Sequence, residues 1–109
     1  METLNVRESN PNQDVQFSDE RNSYLFHIFT FGGFTLMDIE MNGEYIIYGL
    51  KVSPNVNLIP HWKTNGGNFQ FKCINGEYPY YKEFNKSQTL VYYTDAELAE
   101  MAITEAENQ

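Results

Sequence analysis

From Tyr24 to Tyr93, hydrophobic residues recur in short alternating runs that are broken by small turn-forming pairs. Tyr24 to Phe31 is dense in β-formers and ends at Gly32-Gly33, the pattern of a strand and a turn. Phe34 to Met41 reads as the next strand. Asn42-Gly43 follows it, a pair favoured in type I′ hairpins because both central residues need positive φ. In Glu44 to Val52, alternation puts Ile46, Tyr48, Leu50 and Val52 on one face and Tyr45, Ile47, Gly49 and Lys51 on the other. Ser53 to Asn68 contains Pro54, Pro60 and Gly66-Gly67, so it reads as a long loop around an apolar island, Val56 to Ile59 with Trp62. Phe69 to Ile74 reads as a strand, Asn75-Gly76 as a second hairpin turn and Glu77 to Phe84 as its return. Pro79 lacks a backbone donor and places that return at a sheet edge or a bulge. Thr89 to Tyr93 is a short last strand.

After Tyr93 the period changes from two to that of a helix. Thr94-Asp95-Ala96-Glu97 fits a capping box, in which the hydroxyl accepts from the Glu97 amide and the Glu97 carboxylate reaches back. Asp95 and Glu97 suit the positive end of the helix dipole. Leu98, Ala99, Met101, Ala102, Ile103 and Ala106 supply an apolar stripe, and Glu105 and Glu107 predict fraying at the far end. Residues 1–22 are polar around Leu4, Val6, Val15 and Phe17. They read as a flexible arm with a short ordered strand near Val15 to Phe17, because ordering the backbone costs roughly 1–2 kcal/mol per residue. The expectation is an arm over residues 1–22 and one α+β domain over 23–109. That domain is a twisted antiparallel sheet built from hairpins, with the C-terminal helix packed on it.

A chain of 109 residues that is 41% hydrophobic and 16% aromatic can bury one core without disulfide or metal staples. Cys73 is the single cysteine and suits a reducing compartment. Met1 to Ser9 lacks the apolar run of a secretory signal, and no stretch approaches the roughly 20 apolar residues of a membrane span. A cytoplasmic protein without membrane contact is expected. The net charge of −8 is unevenly placed: Lys51, Lys63, Lys72, Lys82 and Lys86 oppose only Glu77 and Glu83 in the middle, whereas residues 95–109 carry acids and no base. The acidity sits at the ends, so net charge alone is a poor guide to the partner.

Catalytic chemistry finds little support. His27 and His61 fall in different contexts, and no His-x-Glu, His-x3-His or Cys-x2-Cys spacing offers a zinc ligand set. Cys73 shares a strand face with Phe69 and Phe71, the usual place of an inert thiol. Asp38 and Glu40 alternate on a strand and read as a solvated face. The glycine pairs are turns rather than phosphate loops. No enzyme and no cofactor are expected. Binding has better material, since His61-Trp62-Lys63 and Tyr78 to Lys82 interleave rings with cations. Such residues suit nucleic acid, with Lys51, Lys63, Lys72, Lys82 and Lys86 on phosphates and Trp62, Tyr78 and Tyr80 stacking on bases. The competing reading is of ordinary half-buried sheet tyrosines.

Asp38 to Val52 (DIEMNGEYIIYGLKV) resembles the "ITLNGEFVIHGIKVI" strand of the SpoVG-like septation-regulator family. Gly67-Asn68-Phe69-Gln70-Phe71 resembles that family's "G-x-F-V" strand, and Asn75-Gly76-Glu77-Tyr78 its "GEY/GEF" hairpin. The resemblance covers residues 34–106. It departs where Lys72-Cys73-Ile74 replaces a Met-Pro and basic tract, where the central loop is longer, and where an Asp-Ile-x-x-Pro stretch is missing. It implies a dimeric, site-selective DNA-binding regulator of bacterial or phage type, without cofactor. Two other functions fit the composition. One is an acidic inhibitor or adaptor, a nucleic-acid mimic of the phage counter-defence type, that occupies a basic surface of a host protein. The other is a structural or assembly component that self-associates through an exposed strand edge. Lysines gathered on one face favour nucleic acid, and scattered lysines favour a protein partner.

Overall fold

The computed structural model describes residues 1–64 and 66–107, with His61 and residues 103–107 described through their backbone alone. Among the described residues, seven strands form two antiparallel sheets. The strands are β1 (Glu2–Thr3), β2 (Gln13–Ser18), β3 (Ser23–Phe31), β4 (Phe34–Met41), β5 (Glu44–Lys51), β6 (Asn68–Cys73) and β7 (Gln88–Tyr93), and the helix α1 spans Asp95–Glu107. One sheet is the meander β2-β3-β4-β5, and the other has the order β1-β7-β6. The α+β class built from hairpins, with one C-terminal helix, is the observed one. The hairpins are shared between two sheets that pack on each other.

Strand alternation explains that packing. Tyr24, Phe26 and Ile28 of β3, with Met37 and Ile39 of β4, face Phe69, Phe71 and Cys73 of β6 and Leu90 and Tyr92 of β7 in one buried cluster. Phe69 is its hub. Ring centroids of Tyr24 and Phe26 lie 4.7 Å from it in edge-to-face geometry, and Phe17 lies 5.6 Å away. This is the arrangement that ring quadrupoles favour.

The turns follow local chemistry. Asn42 and Gly43 both have positive φ, at 55° and 85°, as the expected type I′ hairpin requires. On β5 the simple alternation fails. Register slips by one residue between the Met37–Leu50 and Ile39–Ile47 pairs and again before Glu40–Tyr45. The first slip is a bulge at Gly49, whose φ is 59° and whose amide donates to Asp38 Oδ1 at 2.6 Å. As a result Ile46 and Ile47 both pack against the core while Tyr45 and Tyr48 point outward. The expected return strand over Glu77 to Phe84 is also absent. That span is irregular, with a 3-10 turn over Tyr81–Glu83, and β6 pairs instead with β7. Pro79 cannot donate to a ladder, and the Gln88 side chain takes over the pairing, accepting from Tyr80 N at 2.8 Å and donating to Tyr78 O at 3.2 Å.

Residues 1–22, expected as a flexible arm with a short strand near Val15 to Phe17, form β1 and a longer β2 over Gln13–Ser18 and enter the core. Glu2 and Thr3 pair with Tyr92 and Val91, and Leu4 N donates to Leu90 O at 2.8 Å. Leu4, Val6 and Val15 are buried. Between the strands, Gln13 ties the chain to itself, accepting from Arg7 N at 2.7 Å and donating to Asn10 O at 2.8 Å. The few apolar residues suffice because each sits at an inward position and the backbone extends sheets that already exist.

The helix begins as its sequence predicts. Thr94 N donates to Glu97 Oε1 at 3.1 Å, and Glu97 N donates to Thr94 Oγ1 at 3.2 Å. None of the described α1 side chains is buried, and α1 continues directly from the end of β7. Ile103 and Ala106 of its stripe lie outside the residues whose side chains are described. Among the described residues, no helix is long and apolar enough to cross a membrane.

Candidate functional site

With the two inner faces consumed by the core, recognition is left to outer faces, edges and turns. One edge is covered and another is interrupted. Along β6, Asn55 N and Leu58 N donate to Phe71 O and Phe69 O, each at 2.9 Å, so the loop carrying the apolar island covers that edge. Along β5, the bulges distort the ladder, and Lys63 Nζ donates to Ile46 O at 2.7 Å. Both devices hinder strand-to-strand association.

The outer face of the four-stranded sheet carries a charged row. Register puts Asp14, His27 and Asp38 side by side on β2, β3 and β4. His27 Nδ1 lies 2.8 Å from Asp14 Oδ1, and its Nε2 lies 2.5 Å from Glu40 Oε2. Both ring nitrogens can donate only in the imidazolium form. The bond to Glu40, helped by that to Asp14, holds the pKa above its usual value against partial burial, which opposes it. Tyr45 stacks near His27 at 5.8 Å, and Tyr48 stacks on Tyr45 at 4.8 Å. With both nitrogens engaged by carboxylates, this histidine is held as a cross-strand link. Burial pushes the Cys73 thiol up to about 11, with Glu77 adding to the effect, so it stays protonated and unreactive.

The β3–β4 turn builds a different surface. Gly32 and Gly33, at φ 60° and 81°, reverse the chain and leave Phe31 75% and Phe34 40% exposed. Across from them, Thr35 Oγ1 donates to Pro79 O at 2.7 Å and fixes the neighbouring Tyr78, which is 49% exposed. The Phe34 and Tyr78 rings meet edge to face at 5.9 Å. Lys51, at the end of β5, sets its Nζ 3.9 Å from the Phe34 centroid and 4.8 Å from that of Tyr78, within cation–π range.

The residues singled out for nucleic acid therefore part company. Lys51 and Tyr78 meet at this tip. Trp62 is 73% exposed and carries the Lys63 ammonium 4.9 Å from its ring, beside β5. Lys72 lies on the other sheet, 5.8 Å from the Tyr93 ring. Tyr80 packs on Tyr81 at 4.7 Å, and Lys82 and Lys86 are exposed on the connection between β6 and β7. Sequence reasoning missed Phe31 and Phe34. Their signal was large aromatics on both sides of a glycine turn, where no core can receive them.

Together these features define a small two-sheet protein with a C-terminal helix, whose exposed aromatics stand on its outer surfaces. Residues 1–96 match the family described as cyanophage baseplate Pam3 plug gp18, and the chain belongs to that family. No curated protein matches it. The match overturns the resemblance to the SpoVG-like family, whose shared motifs, Asn42-Gly43 and Asn75-Gly76 above all, are turn chemistry common to antiparallel proteins. It likewise corrects the expectations of a DNA-binding regulator, of an acidic inhibitor of a host protein and of a cytoplasmic location, because the family is one of the phage baseplate. It starts at β1 and ends within the first turn of α1, so both sheets fall inside it.

Proposed function

We propose that this protein is a non-enzymatic structural component of a phage baseplate, seated there as a plug and held by other baseplate proteins. The observation that carries this reading is the family match over residues 1–96, which takes in every strand. The architecture supports it: the core is continuous between the sheets, one sheet edge is covered and another interrupted against uncontrolled pairing, and large aromatics stand at the surface. Trp62 and the Phe34–Tyr78 tip read as protein contacts, since exposed aromatics of this kind anchor interfaces. The reading requires no cofactor. Its test is the composition of baseplates purified from the phage that encodes the chain. Quantitative mass spectrometry is expected to find the chain in fixed ratio to the other baseplate proteins. Recovery only as free protein in the host lysate would overturn the reading.

A further inference from the structure

We propose that the tip formed by Phe31, Phe34, Lys51 and Tyr78 docks a segment of another baseplate protein that offers a carboxylate flanked by apolar side chains. The proposal rests on the baseplate reading above and assigns it a contact point and a partner chemistry. Three observations converge.

First, the tip gathers exposed rings at one place: Phe31, Phe34 and Tyr78 stand 75%, 40% and 49% exposed, whereas Phe26, Phe69, Phe71 and Phe84 are fully buried in the core. Exposed neighbouring aromatics mark interaction sites.

Second, the tip is preorganised. The Thr35–Pro79 hydrogen bond is buried, and Gln88 clamps Tyr78 O and Tyr80 N from β7. A partner would pay little ordering entropy on this side of the interface.

Third, the charge is specific. Lys51 is held over two rings, and among the described residues no carboxylate forms an ion pair with it. An ammonium fixed in place and lacking an anionic partner, inside a ring of aromatic surface, matches a carboxylate that arrives between apolar side chains. There the pair is shielded from water and gains strength. The chain as a whole, at net charge −8, disfavours a second copy as the occupant, because like-charged surfaces repel.

The test uses the full chain supplied in trans to a phage lacking its gene, with a benzoyl-phenylalanine photo-cross-linker placed at Phe31 and, as control, at Tyr48 on the sheet's outer face. Illumination of assembled particles is expected to join the Phe31 position to one other baseplate protein, within a few residues of an Asp, a Glu or a C-terminal carboxylate. In the same system Lys51→Glu is expected to lower incorporation by about tenfold or more, while Lys51→Arg retains it and Tyr48→Ala leaves it unchanged. Circular dichroism of the purified variants checks that each is folded. Equal incorporation of Lys51→Glu, a cross-link to a second copy of the chain, or a cross-link to a segment without a carboxylate would overturn the docking proposal alone. Failure of the unaltered chain to enter particles would overturn it together with the baseplate reading.

Discussion

The two ends of the chain teach opposite lessons. Residues 1–22 have little local signal, yet they supply two strands and the buried Leu4, Val6 and Val15. Residues 94–107 have a strong local signal and form the helix from its capping box, yet none of its described side chains is buried. Local propensity decides whether an element forms, and the tertiary surface it meets decides whether the fold depends on it. The first end is therefore expected to be indispensable and the second dispensable.

The largest effect expected is from deleting Met1 to Ser9. It removes β1 and strips Leu4 and Val6 from the core, and two fully buried aliphatic side chains contribute about 3–6 kcal/mol. That is a large share of the roughly 5–15 kcal/mol by which a domain is stable. Urea denaturation should show a much lower midpoint, and an unchanged midpoint would return these residues to the status of an arm. Phe69→Ala, at the hub of the ring cluster, should cost about 3–5 kcal/mol. It provides the scale against which the deletion is judged.

At the other end, Thr94→Ala removes an acceptor for the Glu97 amide and should weaken α1 by about 0.5–2 kcal/mol. Helical circular dichroism should fall while the midpoint of global unfolding stays in place. A matching fall in both would mean that α1 packs on the sheets. The smallest effect concerns the outer face. His27 has its folded pKa raised above 6.5, so its links to Asp14 and Glu40 contribute fully below pH 6.5 and are lost as pH rises through the folded value. Stability should decline modestly across that window, and His27→Gln should remove the slope.

The sequence made some of this visible. Asn42-Gly43, the limits of β4 and the Thr94 box are legible because each depends on neighbouring residues. The bulges of β5 are not, because alternation alone cannot show that Gly49 takes a positive φ and lends its amide to Asp38. The Glu77 to Phe84 return fails for a related reason: Gln88, beyond the turn, satisfies the backbone that a strand would have paired. At the candidate site, Lys51 and Tyr78 stand out in the sequence as a cation and a ring. Their meeting with Phe34 depends on a hydrogen bond between Thr35 and Pro79 that joins distant parts of the chain. Their chemistry was visible and their neighbourhood was not.

The most direct measurement is an electron cryo-microscopy map of the baseplate from the phage that encodes this chain. The account predicts density for the two-sheet body, β1 and β2 included, seated in the baseplate with the Phe31–Phe34 turn against another protein. A baseplate without that body, or one in which residues 1–22 stand apart from the sheets, would contradict it.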